Sequence, residues 1–439
     1  MTTAVASGSR HEVRVSGITS EGAGVGRLSD GRAVFVHRTA PGDLARVEVW
    51  KLHRRWARAH LIEVLEPGPE RRAAPCPFYE GCGGCTLQHL TYREQLRAKS
   101  QLVLDALERI GRTGALPEPE LHGARRETRY RNRLSFTLKR SPSGEVAAGF
   151  HALDQPWELI DVDGRCLLAE EPISAAWDAL REGWGPGASL LPPGTPIRLT
   201  LRAAESGELM LVVEGGRAWG SPEVLIGKVP GLVSVWHRPA RADRPTLLAG
   251  TESLADMWLG EPVAVTPEAF LQTNREVAQA LHGHVIAAAG MVPGSRVLDA
   301  YCGFGHFGRQ LAREGATVVG VELGPAAEGA VRASPVAGFR AVRGRVEDHL
   351  SEGLPADLVI LNPPRAGVAE GVMERLGAAS PARILYVSCD PATLARDVER
   401  LGTAYWISGL HVFDLFPQSS RVETLLVLDR GDRPTRGDA

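Results

Sequence analysis

Residues 297–308 read VLDAYCGFGHFG, and this stretch decides the fold of the C-terminal part of the chain. An apolar strand ends in Asp299, and the turn that follows contains Gly303, Gly305 and Gly308 before a helical segment begins. Further apolar strands then alternate with helical or turn segments, namely ATVVGVE, DLVILN, RILYVS and ETLLVLD. This alternation predicts a doubly wound parallel sheet, a Rossmann-like α/β domain, over residues 266–430.

The glycine turn predicts a nucleotide cofactor but leaves its identity open. The three glycines make G-x-G-x-x-G, which is typical of NAD binding, and Glu322 ends the next strand at a distance suited to ribose hydroxyls. Asp299 precedes the turn, where it would face the positively charged amino and sulfonium end of S-adenosylmethionine. The later strand ends carry Asn-Pro-Pro and Ser-Cys-Asp, which suit base chemistry better than hydride transfer. We therefore expect S-adenosylmethionine and keep an NAD-dependent oxidoreductase as the alternative enzyme.

Cys389 follows the apolar strand RILYVS, at the sheet edge where ligands of open α/β sheets bind. Asp390 is a suitable N-cap and Pro391 a suitable first helical residue, so a helix should begin there. A thiol at a helix N-terminus gains thiolate character, whereas a lone cysteine is more often a buried core residue. With a cofactor turn and Glu423 as a candidate general base, the nucleophile interpretation is favoured.

The N-terminal two thirds of the chain predict two further domains, since 439 residues exceed one ordinary domain. Residues 8–66 contain short strands and turn signals at intervals of roughly ten residues, which predicts a small β-barrel. Residues 67–265 contain the helical pattern REQLRAKSQLVLDALERIG, with Gly111 as its stop, followed by alternating strands such as RLSFTLKR. This predicts a central α+β domain.

The cysteines indicate a metal site and a reducing compartment. Six cysteines with uneven spacing do not fit a secreted disulfide framework. Cys76, Cys82 and Cys85 form a cluster that, with one more ligand, suits zinc or an iron–sulfur cluster. The N-terminus has no apolar run of a signal peptide, and no apolar stretch approaches the length of a membrane span. We expect a cytoplasmic protein without a membrane partner.

A net charge of −2 means that any RNA-binding surface must be a local patch. Two basic stretches are candidates. The first combines basic and aromatic residues of the predicted barrel: Trp50, Lys51, Arg54, Arg55, Trp56 and Arg58. The second is Arg125, Arg126, Arg129, Arg131, Arg133, Lys139 and Arg140. A basic run is usually a solvated face, but beside an RNA-type barrel phosphate contact is the better interpretation.

Taken together, PEAFLQTN, VLDAYCGFGHFG, DLVILNPPRAG, YVSCDPATLARD and FPQSSRVET resemble the RNA 5-methyluridine methyltransferase family in order and spacing. The barrel resembles a TRAM domain through SEGAGVGRLSDGRAVFVHRTAPGDLARV. Cys76, Cys82 and Cys85 resemble the iron–sulfur site of the ribosomal-RNA branch, with Cys166 as the distant fourth ligand. The resemblance therefore implies a TRAM barrel, a central domain with a 4Fe–4S cluster and a class I methyltransferase domain.

The resemblance also implies a mechanism, in which Cys389 attacks C6 of a uridine, C5 takes the methyl group and Glu423 removes the C5 proton. It implies that Phe270 and Gln272 hold the flipped base. The cofactor-binding residues expected for this chain are Gln272, Asp299, Tyr301, Gly303, Glu322 and Asn362. Asn362 stands where the family commonly has Asp, Arg421 replaces a usual His, and Arg345 stands where an acid or Asn often contacts adenine.

We expect a monomer that methylates RNA, with 23S ribosomal RNA as the target, because the transfer-RNA branch in bacteria generally lacks both the TRAM domain and the cysteine cluster. Transfer RNA is the alternative substrate. The departures at Asn362 and Arg421 also motivate a catalytically silent RNA-binding protein, although an intact Cys389–Glu423 pair argues against it. Arg365 after Asn-Pro-Pro disfavours amino-group methylation, because an aromatic residue normally follows there.

Overall fold

The computed structural model describes residues 4–290 and 293–431. They form two compact units, each assembled from separate stretches of the chain. The first takes the chain up to Gln95, then Arg126–Arg275 and Pro417–Ser420; the second takes Leu96–Arg125, Glu276–Phe416 and the chain from Arg421. The limits of the three expected domains stay a prediction. Within the described residues no helix is both long enough and apolar enough to span a bilayer.

The first unit begins with a closed barrel of five strands in the order β1-β2-β3-β5-β4, which confirms the predicted barrel. Its strands are β1 (Arg10–Ile18), β2 (Gly24–Arg27), β3 (Ala33–Val36), β4 (Leu44–Leu52) and β5 (Trp56–Glu66). Alternate residues such as Val13, Val47 and Val49 fill the barrel, because successive side chains of a strand point to opposite faces. The chain then enters helix α1 (Tyr92–Arg109), which belongs to the second unit from Leu96 onward, and strand β6 (Glu120–His122).

The rest of the first unit is a seven-stranded sheet in the order β13-β12-β11-β10-β7-β8-β9, with a helix packed on it. Its elements are β7 (Arg133–Arg140), β8 (Val146–His151), β9 (Leu159–Asp161), α2 (Glu171–Gly183), β10 (Ile197–Ala203), β11 (Leu209–Glu214), β12 (Leu232–Arg238) and β13 (Thr246–Gly250). Short 3-10 turns lie at Pro186–Ala188 and Pro222–Leu225, and a hairpin of β14 (Leu254–Trp258) and β15 (Glu261–Val265) follows. Trp177 of α2 stacks on Phe136 of β7, with ring centroids 3.8 Å apart. This matches the expected α+β arrangement.

The second unit is built on an eight-stranded sheet in the order β18-β17-β16-β19-β20-β22-β21-β6. Its remaining elements are α3 (Arg275–Ala289), β16 (Arg296–Ala300), α4 (His306–Arg313), β17 (Thr317–Glu322), α5 (Ala326–Ala333), β18 (Phe339–Arg343), α6 (Val346–Gly353), β19 (Leu358–Leu361), α7 (Val372–Ala379), β20 (Arg383–Ser388), α8 (Pro391–Leu401), β21 (Tyr405–Phe413) and β22 (Glu423–Arg430). Apolar clusters cover both faces of this sheet, as a parallel core requires. The Rossmann-like fold is confirmed.

Strand β22 is antiparallel to its neighbours, whereas the sequence predicted a wholly parallel sheet. Strands β16 to β20 are parallel, but β22 lies antiparallel to both β20 and β21. No helix separates β21 from β22 in the described chain, so the connection reverses the strand direction instead of crossing over. The start of β22 therefore lies at the edge where the parallel strands end.

Candidate active site

The glycine turn joins β16 to α4, and its glycines serve two different purposes. A Cβ on Gly305 or Gly308 would lie 2.6 or 2.7 Å from the ring of Phe339, so these two glycines allow close packing. A Cβ on Gly303 would meet nothing within 4 Å. Gly303 has φ +59°, and Tyr301, two residues earlier, has φ +60°, a conformation that is uncommon for a non-glycine residue. Gly303 thus leaves open backbone beside a strained turn, as a ligand-binding loop requires.

The two acidic residues of this turn organise backbone N–H groups. Glu322 accepts hydrogen bonds from the N–H groups of Gly303 and Gly324, both at 3.0 Å. Asp299 is fully buried, and its Oδ2 accepts from the Gly308 N–H at 2.9 Å. Burial raises the pKa of Asp299 to about 7, and the charge of Glu322 adds to this rise. Asp299 therefore holds the turn from inside, and its predicted contact with a cofactor stays a prediction.

Cys389 and Glu423 meet at the sheet edge through the strand register. Ser388, the last residue of β20, pairs with Thr424 of β22, so the next residues outward are Cys389 and Glu423. Asp390 caps α8, accepting hydrogen bonds from the N–H groups of Ala392 and Thr393 at 3.0 Å, which confirms the predicted helix start. The antiparallel direction of β22 is what brings Glu423 to this edge.

The protonation of the pair differs from the sequence expectation. Burial raises the pKa of the Cys389 thiol and the charge of Glu423 raises it further, whereas Arg365 lowers it. The prediction of thiolate character considered only the helix N-terminus and was wrong for the free site. Burial also raises the pKa of Glu423 to about 8, against the opposing charge of Arg365. Both groups therefore hold a proton near neutral pH.

Arg365 is the residue that the sequence interpretation used only to disfavour amino-group chemistry. Its side chain is exposed, yet its charge acts on both Cys389 and Glu423. The signal for this role was its place, three residues after Asn362 at the end of β19. The Asn362 N–H donates to the Ala300 carbonyl at 3.2 Å, which places Asn362 beside the end of β16.

Other sequence-predicted residues are distributed around these strand ends. Arg345 pairs with Glu347, with Nε 2.6 Å from the carboxylate, and Arg421 is exposed next to β22. Leu323, which follows Glu322, is 67% exposed and was missed because a single leucine carries no pattern. An exposed apolar side chain next to Glu322 is suited to packing against the face of a nucleotide base.

Phe270 and Gln272 lie in the first unit, whereas the glycine turn, Cys389 and Glu423 lie in the second. Phe270 is 69% exposed, and the Gln272 carbonyl accepts a hydrogen bond from Asn132 at 3.2 Å. A large aromatic ring in solvent is unusual and is suited to stacking on a base. Their predicted contacts with base and cofactor stay predictions.

The four predicted cysteine ligands line one cavity of the first unit. Cys76, Cys82, Cys85 and Cys166 surround it together with apolar residues, among them Phe78, Phe150 and Leu168. All four are free thiols, and burial raises the pKa of Cys85 to about 12 and that of Cys166 to about 11. In the described chain no three of these sulfurs lie within 4.8 Å of one another.

Two arginines hold the cysteine-bearing segments by their backbone. Arg38 of the barrel is buried and donates to the carbonyl oxygens of Cys85 at 3.0 Å, Cys82 at 2.8 Å and Tyr79. Arg129 donates to the Cys166 carbonyl at 2.8 Å and to that of Gly164 at 3.1 Å. Arg38 was missed because nothing in its sequence context marks it as buried.

The two basic stretches, which are the candidate RNA-binding surfaces, differ in how exposed their side chains are. In the barrel, Arg54 and Arg55 are exposed and Trp50 is 41% exposed, although Arg58 pairs with Glu21. The second stretch is largely engaged inside the first unit. Arg129 and Arg140 donate to carbonyl oxygens, Lys139 donates to the Trp157 carbonyl, and Arg131 stacks on Tyr130. These contacts hold the side chains within the first unit, and contact of the second stretch with RNA stays a prediction.

Comparisons with known proteins agree with this architecture. Residues 5–62 match the family model of the TRAM domain, and residues 336–431 match the model described as tRNA (Uracil-5-)-methyltransferase. An uncharacterized RNA methyltransferase of Halalkalibacterium halodurans is 31% identical over 445 residues, covering 95% of this chain and 96% of that protein. Another, from Nostoc sp., is 33% identical over 442 residues, covering 95% of each chain.

Among solved structures, the tRNA (uracil-54, C5)-methyltransferase of Pyrococcus abyssi in complex with S-adenosyl-L-homocysteine is similar to this chain. The TM-score is 0.72 at 25% identity, covering 95% of this chain and 100% of that one. These similarities overturn the alternative of an NAD-dependent oxidoreductase. Because relatives that match along nearly their whole length share about a third of its residues, the chain belongs to the S-adenosylmethionine-dependent RNA uracil-5 methyltransferase family.

Proposed function

We propose that this enzyme methylates C5 of a uridine in 23S ribosomal RNA through a covalent bond between Cys389 and C6 of the base. One observation carries the proposal. The antiparallel β22 brings Glu423 opposite Cys389 at the edge where the parallel strands end, with the charge of Arg365 beside both. A nucleophile and a base are the groups that this chemistry requires, and the charge of Arg365 favours the ionised form of both.

The chain's own residues would carry each proton and bond change. Cys389 releases its proton to solvent, Arg365 stabilises the thiolate, and Sγ bonds to C6, which makes C5 a carbanion equivalent. S-adenosylmethionine, when bound, supplies the methyl group as a sulfonium. Glu423, which is protonated in the free site, first releases its own proton to solvent. As carboxylate it then removes the C5 proton, and the electron pair re-forms the C5–C6 double bond and expels Sγ. A carboxylate whose pKa lies near 8 is a stronger base for this step than an ordinary one.

The cofactor would be held by the groups around the glycine turn. Gly303 leaves open backbone, and Glu322 is already oriented by two N–H groups. We propose that Glu322 binds the ribose and Leu323 packs on the adenine, with Tyr301, Asn362, Asp299 and Gln272 completing the site. Phe270 would stack on the flipped uracil.

The RNA target is proposed on the domain combination. A TRAM barrel together with Cys76, Cys82, Cys85 and Cys166 resembles the ribosomal-RNA branch. Transfer RNA is the second candidate, because the similar Pyrococcus abyssi enzyme is named for uracil 54 of tRNA. Exposed Arg54, Arg55 and Trp50 of the barrel would contact RNA phosphate and bases in either case.

We also propose that the four cysteines hold a 4Fe–4S cluster. Their sulfurs share one apolar-walled cavity of the first unit, and the resemblance to the ribosomal-RNA branch favours an iron–sulfur cluster over zinc. Such a cluster would order the segments around Cys76–Cys85 and Cys166, and it takes no part in the methyl transfer. Free thiols and the ligand type fit the reducing cytoplasm.

The test compares 5-methyluridine in 23S ribosomal RNA and tRNA from cells with and without this gene. We expect one 23S position to lose its methyl group in the absence of the gene, and purified protein to restore it. If only tRNA loses 5-methyluridine, tRNA is the substrate instead of 23S ribosomal RNA. If neither RNA loses 5-methyluridine, the proposal is refuted.

The chemistry is tested separately with variants on a denaturing gel. Glu423→Gln should accumulate a covalent protein–RNA species, because the adduct can no longer lose its C5 proton. Cys389→Ser should form none, although both variants should still bind S-adenosylhomocysteine. An adduct in Cys389→Ser would show that another residue is the nucleophile.

A further inference from the structure

Three histidines from distant parts of the chain meet at one edge of the eight-stranded sheet. His122 ends β6, His284 lies on α3 and His411 lies in β21, all within the second unit. One ring nitrogen of each lies within 4.8 Å of those of the other two, and all three side chains are half-buried. None of these residues takes part in the proposed methyl transfer, and the four cysteines lie in the other unit.

The spacing of two of the rings matches a shared cation. His122 Nε2 and His411 Nδ1 are 3.3 Å apart. Two imidazole nitrogens bound at about 2.0–2.1 Å to one tetrahedral zinc are about 3.3–3.4 Å apart. The same distance also permits a hydrogen bond between the two nitrogens, which metal titration distinguishes from a shared cation.

The third ring is oriented as metal-binding histidines are. His284 Nδ1 donates to the Ala280 carbonyl of its own helix at 2.8 Å, which leaves the lone pair on Nε2. A ligand imidazole commonly carries such a hydrogen bond on its other nitrogen, because the bond sets tautomer and orientation. Buried Phe413 packs on His122 and His284, with ring centroids 4.3 and 5.3 Å apart, and restricts both rings.

A carboxylate lies within reach of a fourth position. Glu120 is two residues before His122 on β6, so both side chains point to the same face of the strand. Glu120 Oε2 lies 3.4 Å from His411 Nδ1. We propose that His122, His284 and His411, with Glu120 beside them, bind a divalent transition-metal cation of the zinc type. Three imidazoles and one carboxylate are a donor set that zinc accepts in tetrahedral geometry.

The site would act as a structural tie. Strand β6 has only three residues and pairs with β21 alone at the margin of the sheet. A cation bound there joins the edge strand, the neighbouring β21 and helix α3. A ligand that binds only the folded state stabilises it in proportion to its affinity.

The test uses the full-length protein with its cysteine site loaded and titrates Co²⁺ as a spectroscopic probe for zinc. We expect one equivalent bound, with the visible bands of tetrahedral cobalt and no added thiolate-to-cobalt absorption in the near ultraviolet. His284→Gln and His411→Gln should each lose this equivalent or bind it at least tenfold more weakly. Zn²⁺ should displace the cobalt and raise the melting temperature of the wild-type protein but not of these two variants.

His282→Gln is the matched control, because His282 lies on the same helix but stacks on Phe307 instead. It should bind cobalt as the wild-type protein does. Retained binding of S-adenosylhomocysteine by each variant checks that the fold is intact. If the wild-type protein takes up no cobalt with these bands, or if His284→Gln and His411→Gln bind it unchanged, the three rings are an aromatic cluster on Phe413 and the proposal fails.

Discussion

At the scale of single residues, the burial of Glu423 makes the stability of the folded chain depend on pH. Its pKa is raised from the ordinary value of 4.5 to about 8 because the side chain is buried. The folded state therefore prefers the protonated acid. The contribution of Glu423 to the free energy of unfolding is largest below pH 4.5. It decreases as the pH rises from 4.5 and is lost above about pH 8.

We predict that Glu423→Gln is more stable than the wild-type protein at alkaline pH. Glutamine resembles the protonated acid, so the two proteins should be alike near pH 5. At pH 9 the variant should be more stable by about 5 kcal/mol, since the pKa differs by 3.5 between its ordinary value and the folded state and each pKa unit corresponds to about 1.4 kcal/mol. Urea denaturation between pH 5 and 9 measures this. Exposed Glu374→Gln is the control, and a pH-independent difference for Glu423→Gln would contradict the burial argument.

At the scale of elements, Arg38 links the barrel to the cysteine-bearing loop. Its guanidinium donates to three carbonyl oxygens of that loop and lies 3.6 Å from the centroid of the Tyr79 ring. Arg71, which pairs with buried Asp43, also donates to the Arg38 carbonyl. The loop thus depends on one side chain from another element for its backbone hydrogen bonds.

We predict that Arg38→Met lowers the free energy of unfolding by about 2–4 kcal/mol, because it leaves three buried carbonyls without their donor. Arg38→Lys should recover only part of this loss, since an ammonium cannot reach several carbonyls as a planar guanidinium does. Chemical denaturation of the full chain measures both. Exposed Arg54→Met serves as the control, and equal stability of Arg38→Met and Arg54→Met would refute the role of Arg38.

At the scale of the whole molecule, the sequence predicts what depends on local pattern. The glycine turn, the strand before Cys389 and the cap at Asp390 were accessible because a strand, a turn and a helix start each have a local signature. Three features could not be predicted from the sequence: the direction of β22, the carbonyl contacts of Arg38, and the convergence of His122, His284 and His411. These depend on which distant segments pair, and no local pattern carries that information.

The second unit is built from separate stretches of the chain, and this too could not be predicted from local sequence patterns. The helix that the sequence analysis places in the central domain belongs to the second unit from Leu96 onward. It contributes Val103 and Leu107 to the core of the eight-stranded sheet, and its Lys99 pairs with buried Asp414 at 2.5 Å. The chain leaves this unit after Arg125 and returns at Glu276. The Arg125 N–H donates to the Glu276 carboxylate at 2.9 Å, so exit and return lie side by side. Residues 126–275 are an insertion between them.

We predict that residues 276–431 fold cooperatively only together with Tyr92–Arg125. Without that segment, the sheet exposes the apolar surface that Val103 and Leu107 cover, and Asp414 is left buried without Lys99. A fragment in which a short Gly-Ser linker joins Arg125 to Glu276 should show one sharp thermal transition by circular dichroism. The fragment of 276–431 alone should melt broadly and bind a hydrophobic dye. Equal, sharp transitions in both fragments would mean that α1 and β6 are accessories to this unit and not parts of its core.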